Sequence, residues 1–200
     1  MDYRASVGPK HNYDILGAKQ FCVLVDQGLR EHHYLLDIGC GSIRGGKLFI
    51  PYLLPGRYFG VDPNAEAVNE GISNELSDNY ALVKKKATFW FDDTFYLSRL
   101  TERPETFDFI LAQSIFSHTS RGQTERCIHQ ASQLMNKGSK FLGTWFVGPH
   151  NWERDGWKPG SVVTRPQEYL ERLAEKNGMS FSRQNYTHPS GQTWFLMKVK

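Results

Sequence analysis

The hydrophobic positions of the chain change period repeatedly, from short apolar runs to helical spacing and back again. Compact apolar runs bounded by polar or glycine residues indicate buried strands, and apolar positions three and four residues apart indicate helices. Pro51 lies inside one helical pattern, which it must kink or shorten. The pattern predicts strands at 34–38, 57–61, 84–91, 107–112, 140–147, 180–186 and 193–200, and helices at 13–29, 48–54, 65–76, 123–135 and 166–176.

Strands and helices alternate from residue 34 to about residue 180, which is typical of an α/β protein with a doubly wound, mainly parallel sheet. The last two predicted strands flank the sequence HPSGQ and predict an antiparallel C-terminal hairpin at the edge of a seven-stranded sheet. The first predicted helix precedes the sheet and would cap it. We therefore expect a single domain over 1–200, with an N-terminal helical segment (1–30), an α/β core (31–200) and a loop at 148–165.

The composition fits one globular domain. The chain has 200 residues, of which 40% are hydrophobic and 22% are charged, so it can bury a core without disulfides or metals. Cys22, Cys40 and Cys127 are odd in number and widely spaced, which argues against a disulfide framework or a zinc ribbon and suits a reducing cytosol. No apolar run is long enough to span a membrane, and the opening residues MDYR lack the apolar stretch of a signal peptide. We therefore expect a cytoplasmic protein without a membrane partner.

The most informative segment is YLLDIGCGSIRGG (34–46), an apolar strand that runs into a glycine turn and then a helix. Open parallel sheets bind ligands at this place, beyond the carboxyl ends of their strands. Glycines let a ligand approach the backbone, and a helix N-terminus offers N–H donors. Asp62 ends the next predicted strand, where a carboxylate accepts hydrogen bonds from ribose hydroxyls. The segment therefore predicts a nucleotide or nucleoside site.

Two positions in this segment argue against a dinucleotide. The fingerprint for NAD requires a third glycine where this chain has Arg44. Asp37 lies beside the turn, where its charge would repel a pyrophosphate but tolerate a ligand that carries an ammonium and a sulfonium group. These departures favour S-adenosylmethionine as the cofactor and leave an NAD-dependent oxidoreductase as a remaining alternative.

With these residues in place, the chain resembles the class I, Rossmann-like S-adenosylmethionine-dependent methyltransferases. The resemblance rests on LLDIGCGSIRGG (35–46), YFGVDPN (58–64), FDFILAQSIFSH (107–118) and the terminal hairpin. A narrower likeness, to uncharacterised bacterial members of this class that act on small molecules, rests on the first helix, on Arg44 with the two glycines after it, and on HPSGQ. The resemblance implies methyl transfer from S-adenosylmethionine, with S-adenosylhomocysteine as the product.

The resemblance also implies a set of cofactor contacts. Asp37, Gly39 and Gly41 would surround the methionine part, and Asp62 would hold the ribose. Either Asp92 or Asp93 would bind the adenine amino group, and the choice stays open because KKKATFWFDD (84–93) departs from the family pattern. The expected cofactor-binding residues are Asp37, Gly39, Cys40, Gly41, Ser42, Arg44, Asp62, Pro63, Asn64, Asp92, Asp93, Gln113 and Ser114.

His118 is the candidate catalytic base. It lies in the loop after the central strand at 107–112, at the ligand edge of the predicted sheet, and an imidazole accepts protons near neutral pH. The alternative is that His118 only caps a loop or a helix. Aromatic residues after the strand at 140–147 would wall an acceptor pocket or, alternatively, pack the loop onto the domain. The expected substrate-binding residues are Tyr13, Trp145, Trp152 and His188.

The sequence lacks the motifs of several other kinds of methyltransferase and binding protein. The sequence has no Asn/Asp-Pro-Pro-Tyr or -Phe tetrad and no Pro-Cys pair, and adjacent Asp92 and Asp93 would face opposite sides of a strand, so we expect no catalytic metal. The lysine run at 84–86 has no interleaved exposed aromatic residues, and the net charge of +3 is mild, so a nucleic-acid partner is not favoured. The leading hypothesis is methyl transfer to an oxygen or nitrogen atom of a small molecule. The alternatives are a methyltransferase for RNA or protein and a non-catalytic S-adenosylmethionine-binding protein, and the oligomeric state stays open.

Overall fold

The computed structural model describes residues 3–152, 154–158 and 162–200. The chain divides into two compact units, unit 1 (Met1–Asp93) and unit 2 (Thr94–Lys200). The prediction of a single domain over 1–200 stays a prediction. Each unit combines parallel strands with helices, which confirms the α/β class.

Unit 1 contains three parallel strands, with the second strand in the middle. Short 3₁₀ turns at Ala5–Val7 and Lys10–Asn12 precede its first helix, which confirms the predicted N-terminal helical segment. A π-helical turn at Asn79–Lys84 precedes its last strand. The elements are α1 (Tyr13–Asp26), β1 (Leu35–Ile38), α2 (Gly46–Tyr52), β2 (Tyr58–Val61), α3 (Ala65–Glu75) and β3 (Thr88–Trp90).

The register of the first two strands positions the candidate site of unit 1. All residues of β1 and β2 are buried, as expected for parallel strands that are covered on both faces. Ile38 at the end of β1 lies opposite Val61 at the end of β2. The glycine turn and Asp62, which follow these two residues, therefore leave the sheet at the same edge.

Unit 2 combines parallel and antiparallel pairing. β4 (Phe109–Ala112) and β5 (Lys140–Val147) are parallel. β8 (Thr193–Val199) pairs antiparallel with β5 and with β7 (Met179–Gln184), and β7 and β8 form the predicted C-terminal hairpin. The strand order is β4-β5-β8-β7, and the short β6 pairs with β5. The elements are β4 (Phe109–Ala112), α4 (Arg121–Ser132), β5 (Lys140–Val147), β6 (Thr164–Arg165), α5 (Gln167–Lys176), β7 (Met179–Gln184) and β8 (Thr193–Val199).

Three differences from the predicted elements have local causes. The strand predicted at 84–91 is reduced to β3, because the π-helical turn takes up the residues before it. Helix α4 begins two residues early, because Ser120 and Gln123 form a capping box that satisfies its first N–H groups. The predicted loop at 148–165 contains β6, and residues 153 and 159–161 of this loop lie outside the described residues.

None of the helices in the described part of the chain has the length and hydropathy needed to cross a membrane.

Candidate functional site

The turn after β1 gathers several of the predicted cofactor residues of unit 1. Gly39 and Gly41 have φ angles of +74° and +54°, in the left-handed region that favours glycine. The N–H groups of Gly39 and Cys40 donate to the Val61 carbonyl oxygen at 2.7 Å and 3.2 Å, which ties the turn to the end of β2. The turn is therefore fixed by backbone geometry and presents main-chain atoms rather than side chains.

Asp62 is bound to this turn through its carboxylate. Oδ2 accepts a hydrogen bond from the N–H of Gly41 at 2.9 Å, and Oδ1 accepts one from the N–H of Asn64 at 2.9 Å. Partial burial raises the pKa of Asp62, and the two backbone hydrogen bonds act against this rise. A carboxylate has about four lone-pair positions. The two backbone bonds hold the group in one orientation and leave acceptor capacity on both oxygen atoms.

Asp37 places a second carboxylate beside the same turn, in a buried position. The Tyr58 hydroxyl donates to its Oδ2 at 2.7 Å. Burial raises the pKa of Asp37 to about 6, although the Tyr58 hydrogen bond and the charge of Arg44 act in the opposite direction. Near neutral pH this group is therefore a buried anion that a cationic ligand would stabilise.

Two glycines inside helices allow the backbone to pack tightly behind the turn. A methyl group on Gly17 of α1 would overlap the carbonyl of Arg44, and one on Gly71 of α3 would overlap the carbonyl of Ser42. Tyr13 is 1% exposed and donates its hydroxyl to the Ser42 carbonyl oxygen at 2.8 Å. Tyr13 therefore supports the turn from the core, and its burial does not favour the predicted contact with a substrate.

Arg44 connects the turn to the segment before α1. Its guanidinium donates to the Val7 carbonyl oxygen at 2.8 Å, and the Val7 side chain occupies the space where a side chain on Gly41 would point. Arg4 holds the same segment by an ion pair of 2.7 Å with Glu75 of α3. Arg44 thus anchors this N-terminal segment on the glycine turn, a role that sequence reasoning missed.

The remaining cofactor candidates of unit 1 differ in what they offer. Cys40 is buried, and desolvation raises the pKa of its thiol well above the usual value, so only its backbone is suited to a ligand. The Asn64 side chain caps α3 by accepting a backbone N–H, and Pro63 is exposed. Asp92 and Asp93 follow β3 and are half-buried and exposed, respectively. The choice between these two aspartates stays open.

In unit 2, five polar side chains from the end of β4, the middle of β5 and the loop before β8 form one connected cluster, which we call the Gln113 network. The carboxamide nitrogen of Gln113 lies 2.9 Å from Nε2 of His188 and also contacts the Ser114 hydroxyl. The Gln192 amide nitrogen lies 2.7 Å from the same hydroxyl, and its oxygen accepts from the Thr144 hydroxyl at 2.6 Å. The Thr144 hydroxyl in turn accepts the N–H of Ser114 at 2.8 Å. Two predicted cofactor residues, Gln113 and Ser114, thus share a network with His188.

Hydrogen bonds among residues 188–191 shape the loop that carries His188. The N–H of Gly191 donates to the His188 carbonyl oxygen at 2.9 Å, which closes a turn with Pro189 at its second position. The N–H of Ser190 donates to Nδ1 of His188 at 3.1 Å. His188 and Gln192 also line an open cleft of about 590 Å³ between residues 183 and 193. Sequence reasoning identified HPSGQ but not the partners of its histidine and glutamine.

His118 lies in the loop after β4, as predicted, and its ring stacks on Trp157 with a centroid distance of 5.0 Å. Its carbonyl oxygen accepts the N–H of Lys158 at 2.7 Å, and the Ser117 carbonyl oxygen accepts that of Val163 at 2.7 Å. The loop that follows β5 is therefore bound along the loop that carries His118. The half-buried ring agrees with either a base or a structural residue.

The aromatic residues expected at the acceptor occupy two different environments. Trp145 is fully buried and packs against Phe181 and Phe195, with ring centroids 5.8 Å and 5.9 Å away, so its position favours a core role. Trp152 is half-buried in its loop, where its indole N–H donates to the Gly156 carbonyl oxygen at 3.3 Å. Of the predicted aromatic wall, Trp152 therefore keeps surface that a ligand could reach. In the described part of the chain, no group of three or more His, Cys, Asp or Glu residues is placed to hold a metal ion.

Comparison with known proteins identifies a relative of this chain by sequence. No protein-family model matches the chain. An uncharacterised methyltransferase of Bacillus cytotoxicus is 28% identical over 155 residues, which cover 76% of this chain and 63% of that protein. The chain thus spans less than two thirds of the length of this relative.

Solved structures resemble the whole chain. Magnesium protoporphyrin IX methyltransferase from Synechocystis, solved with bound S-adenosylmethionine, has a TM-score of 0.68 at 16% identity, over 99% of this chain and 89% of that one. DesVI from Streptomyces venezuelae has a TM-score of 0.66 at 15% identity, over 94% of this chain and 92% of that one. The chain therefore has the fold of the S-adenosylmethionine-dependent methyltransferases, and the resemblance seen in the sequence is confirmed at this level.

Proposed function

We propose that the protein is an S-adenosylmethionine-dependent methyltransferase that acts on an oxygen or nitrogen atom of a small molecule. The observation that carries this proposal is the Asp62 carboxylate, which two backbone N–H groups hold against the left-handed glycine turn. An oriented carboxylate with remaining acceptor capacity is suited to bind the two hydroxyls of a ribose. The relative from Bacillus cytotoxicus, which is named a methyltransferase, supports the same class.

The residues of unit 1 fit this cofactor by charge and by shape. Gly39 is half-buried and has no side chain, so a ligand can approach the backbone there, whereas the Val7 side chain covers Gly41. Asp37 supplies a negative charge for the ammonium group of the methionine part and would repel a pyrophosphate. The cofactor, when bound, supplies an activated methyl group, and the protein binds, orients and desolvates it. Cys40 and Ser42 would contribute backbone contacts, and Asp92 or Asp93 would bind the adenine.

Unit 2 carries the residues that we assign to the acceptor. His118 would remove the proton of a hydroxyl acceptor, and Trp152 would contact the acceptor from the loop after β5. The cleft of about 590 Å³ at His188 lies within the range of about 300–1,000 Å³ that is usual for small-molecule sites. A cleft of this volume is compatible with a small acceptor, and the mild net charge of +3 does not favour RNA.

The cofactor assignment is tested by calorimetry. We expect the protein to bind S-adenosylhomocysteine and not NAD. Replacement of Asp62 by alanine should weaken the binding by about 1–3 kcal/mol, because a charged acceptor of hydrogen bonds is lost. The matched control is Glu31→Ala. This change removes an exposed carboxylate that precedes the N-terminal end of β1, away from the glycine turn at the other end, and it should leave the affinity unchanged. Tight NAD binding, or equal affinity in the Asp62 variant, would contradict the assignment.

Turnover is tested by incubating the protein with metabolite extract and methyl-labelled cofactor. Label in a small molecule would support the proposal and identify the acceptor atom. Label only in added RNA or protein would replace the small-molecule acceptor with a macromolecule. Cofactor binding without any label transfer would instead support a non-catalytic binding protein.

A further inference from the structure

The residues before α1 lie against the glycine turn of unit 1 and form what we call the N-terminal strap (residues 3–9). The Val7 side chain covers Gly41, because its Cγ1 atom occupies the space that a Cβ atom on Gly41 would need. The N–H of Gly41 is also the group that donates to Oδ2 of Asp62 at 2.9 Å. The strap therefore places an apolar side chain beside the carboxylate that we assign to the ribose.

Two anchors hold the strap in this position. Near its end, the Val7 carbonyl oxygen accepts a hydrogen bond of 2.8 Å from the guanidinium of Arg44, a buried residue. Near its beginning, the Arg4 guanidinium donates to Oε1 of Glu75 at 2.7 Å, and the Tyr3 hydroxyl donates to the same oxygen at 2.9 Å. Hydrogen bonds that involve a charged partner are the stronger ones, so both anchors contribute to the position of Val7.

Glu75 lies in a place that is unfavourable for a carboxylate unless cations are near it. It is the last residue of α3, at the negative end of the helix dipole, and its side chain is 10% exposed. Lys47 of α2 lies 3.3 Å from its Oε2, while Arg4 and Tyr3 donate to its other oxygen. Loss of Arg4 would therefore detach the strap, while Lys47 would still compensate the charge of Glu75.

Burial contributes little to the position of the strap. None of the residues in the 3₁₀ turns at Ala5–Val7 and Lys10–Asn12 is buried, and Val7 itself is half-buried. Segments with few buried apolar contacts open at a much lower free energy than the whole fold. The strap can therefore open while the buried strands β1 and β2 stay folded, which gives a ligand at the glycine turn a route in and out.

We propose that the N-terminal strap is one wall of the cofactor site, in which Val7 contacts the bound cofactor and Arg4 is a positioning residue that holds Val7 in place. This inference rests on the proposed function, because the cofactor must bind at the glycine turn and Asp62. An apolar wall excludes water from the hydrogen bonds of Asp62 and thereby strengthens them. The strap must open before the cofactor leaves, so its anchors determine the rate of release.

The role of the strap is tested by surface plasmon resonance with S-adenosylhomocysteine, which separates association from dissociation. Arg4→Gln should dissociate on the order of tenfold faster, because the strap loses its ion pair with Glu75. Association should change by less than about twofold, since the turn and Asp62 are intact. Arg4→Lys keeps the charge and should recover most of the loss. Val7→Ala should also dissociate faster, because it removes part of the wall.

Two further measurements identify Arg4 as a residue that acts through Val7. The double variant Arg4→Gln/Val7→Ala should lose less than the sum of the two single losses. In hydrogen exchange followed by mass spectrometry, bound S-adenosylhomocysteine should slow the exchange of residues 3–9 in the wild type, and less so in Arg4→Gln. The matched control is Arg121→Gln, which removes an exposed ion pair with Glu125 on α4 and should leave the dissociation rate unchanged.

The outcomes distinguish this inference from the proposed function. A wild-type protein that does not bind S-adenosylhomocysteine would overturn both. A wild type that binds, together with unchanged dissociation in Val7→Ala, would overturn only the wall, and so would equal exchange of residues 3–9 with and without ligand. Additive losses in the double variant, or faster association of Arg4→Gln with unchanged dissociation, would overturn the role of Arg4. Val7→Ala leaves the ion pairs of Arg4 in place, so it decides the inference even if Arg4→Gln does not fold.

Discussion

The two units build their candidate sites in different ways. In unit 1 the site is made of backbone and of two carboxylates, Asp37 and Asp62, that lie 25 positions apart in the sequence. Glycine conformations shape it, and each oxygen of Asp62 is held by a nearby N–H. In unit 2 the Gln113 network is made of side chains that meet from 75 and 78 positions away. The site of unit 1 is therefore determined mainly by backbone conformation, whereas the site of unit 2 can be changed by substitution of single side chains.

This difference predicts which substitutions should disturb each site. A turn with left-handed backbone conformations tolerates few residue types, because most residues other than glycine adopt these conformations only at a cost. A network of side chains can change partners by single substitutions, provided that every buried donor still finds an acceptor. We therefore expect changes in the glycine turn of unit 1 to affect folding and cofactor binding, and changes at His118 and Trp152 of unit 2 to affect turnover.

The largest effect should come from His118→Ala in unit 2. If the acceptor found by the labelling experiment is a hydroxyl, turnover should fall about a hundred- to ten-thousand-fold, because the proton loses its base. Affinity for S-adenosylhomocysteine should be unchanged, and the ascending limb of the pH profile should disappear.

The control for His118 is His129→Ala, at an exposed histidine on α4 that contacts Asn177. Normal turnover in the His118 variant, with only a lower melting temperature, would make this residue a structural part of the loop that stacks on Trp157.

The next effect should come from Gly71→Ala in unit 1. The added methyl group meets the backbone of Ser42, which cannot move aside as a flexible side chain would. We expect the free energy of unfolding to fall by about 1–3 kcal/mol in chemical denaturation, together with a loss of cofactor affinity.

Gly122→Ala is the matched control, because this helical glycine of α4 has no neighbouring atom within 4 Å of an added methyl group. There the substitution should be neutral or stabilise the protein by up to about 1 kcal/mol. Equal effects at both glycines would mean that close packing behind the turn is unimportant.

The smallest effect should be the pH dependence contributed by Asp37. Its folded-state pKa of about 6 lies above the unfolded value, so the folded state binds the proton more readily. The resulting stability is fully present below about pH 4 and is lost as the pH rises through about 6. Compared with Asp37→Asn, the wild type should therefore lose about 1–3 kcal/mol of unfolding free energy between pH 4 and pH 7.

Cofactor affinity should change in the opposite direction, because only the ionised Asp37 attracts the ammonium group. It should be weaker at pH 5 than at pH 7.5 in the wild type and nearly constant in the Asn variant. Unfolding curves and calorimetry at matched pH values check both statements. A stability difference between the wild type and the Asn variant that does not change with pH would show that folding does not raise the pKa of Asp37.

The features that the sequence determined by itself are local. The period of the apolar positions located the strands and helices, and Pro51 marked the end of α2, which stops one residue later. The glycine turn and Asp62 could be recognised because a left-handed turn needs glycine and because parallel strands end at one edge. Gly17 and Gly71 carried a further signal, since a glycine inside a helix costs stability unless packing requires it.

Only the tertiary structure decided which distant side chains meet. The pattern placed Trp145 in a strand and Trp152 in a loop, but it did not reveal that Trp145 is buried beside the hairpin strand β8, which pairs with β5. The contact between Arg44 and Val7 and the contact between Gln113 and His188 join segments 37 and 75 positions apart. A hydrogen bond depends on distance and direction in space, and these two quantities exist only after the chain has folded.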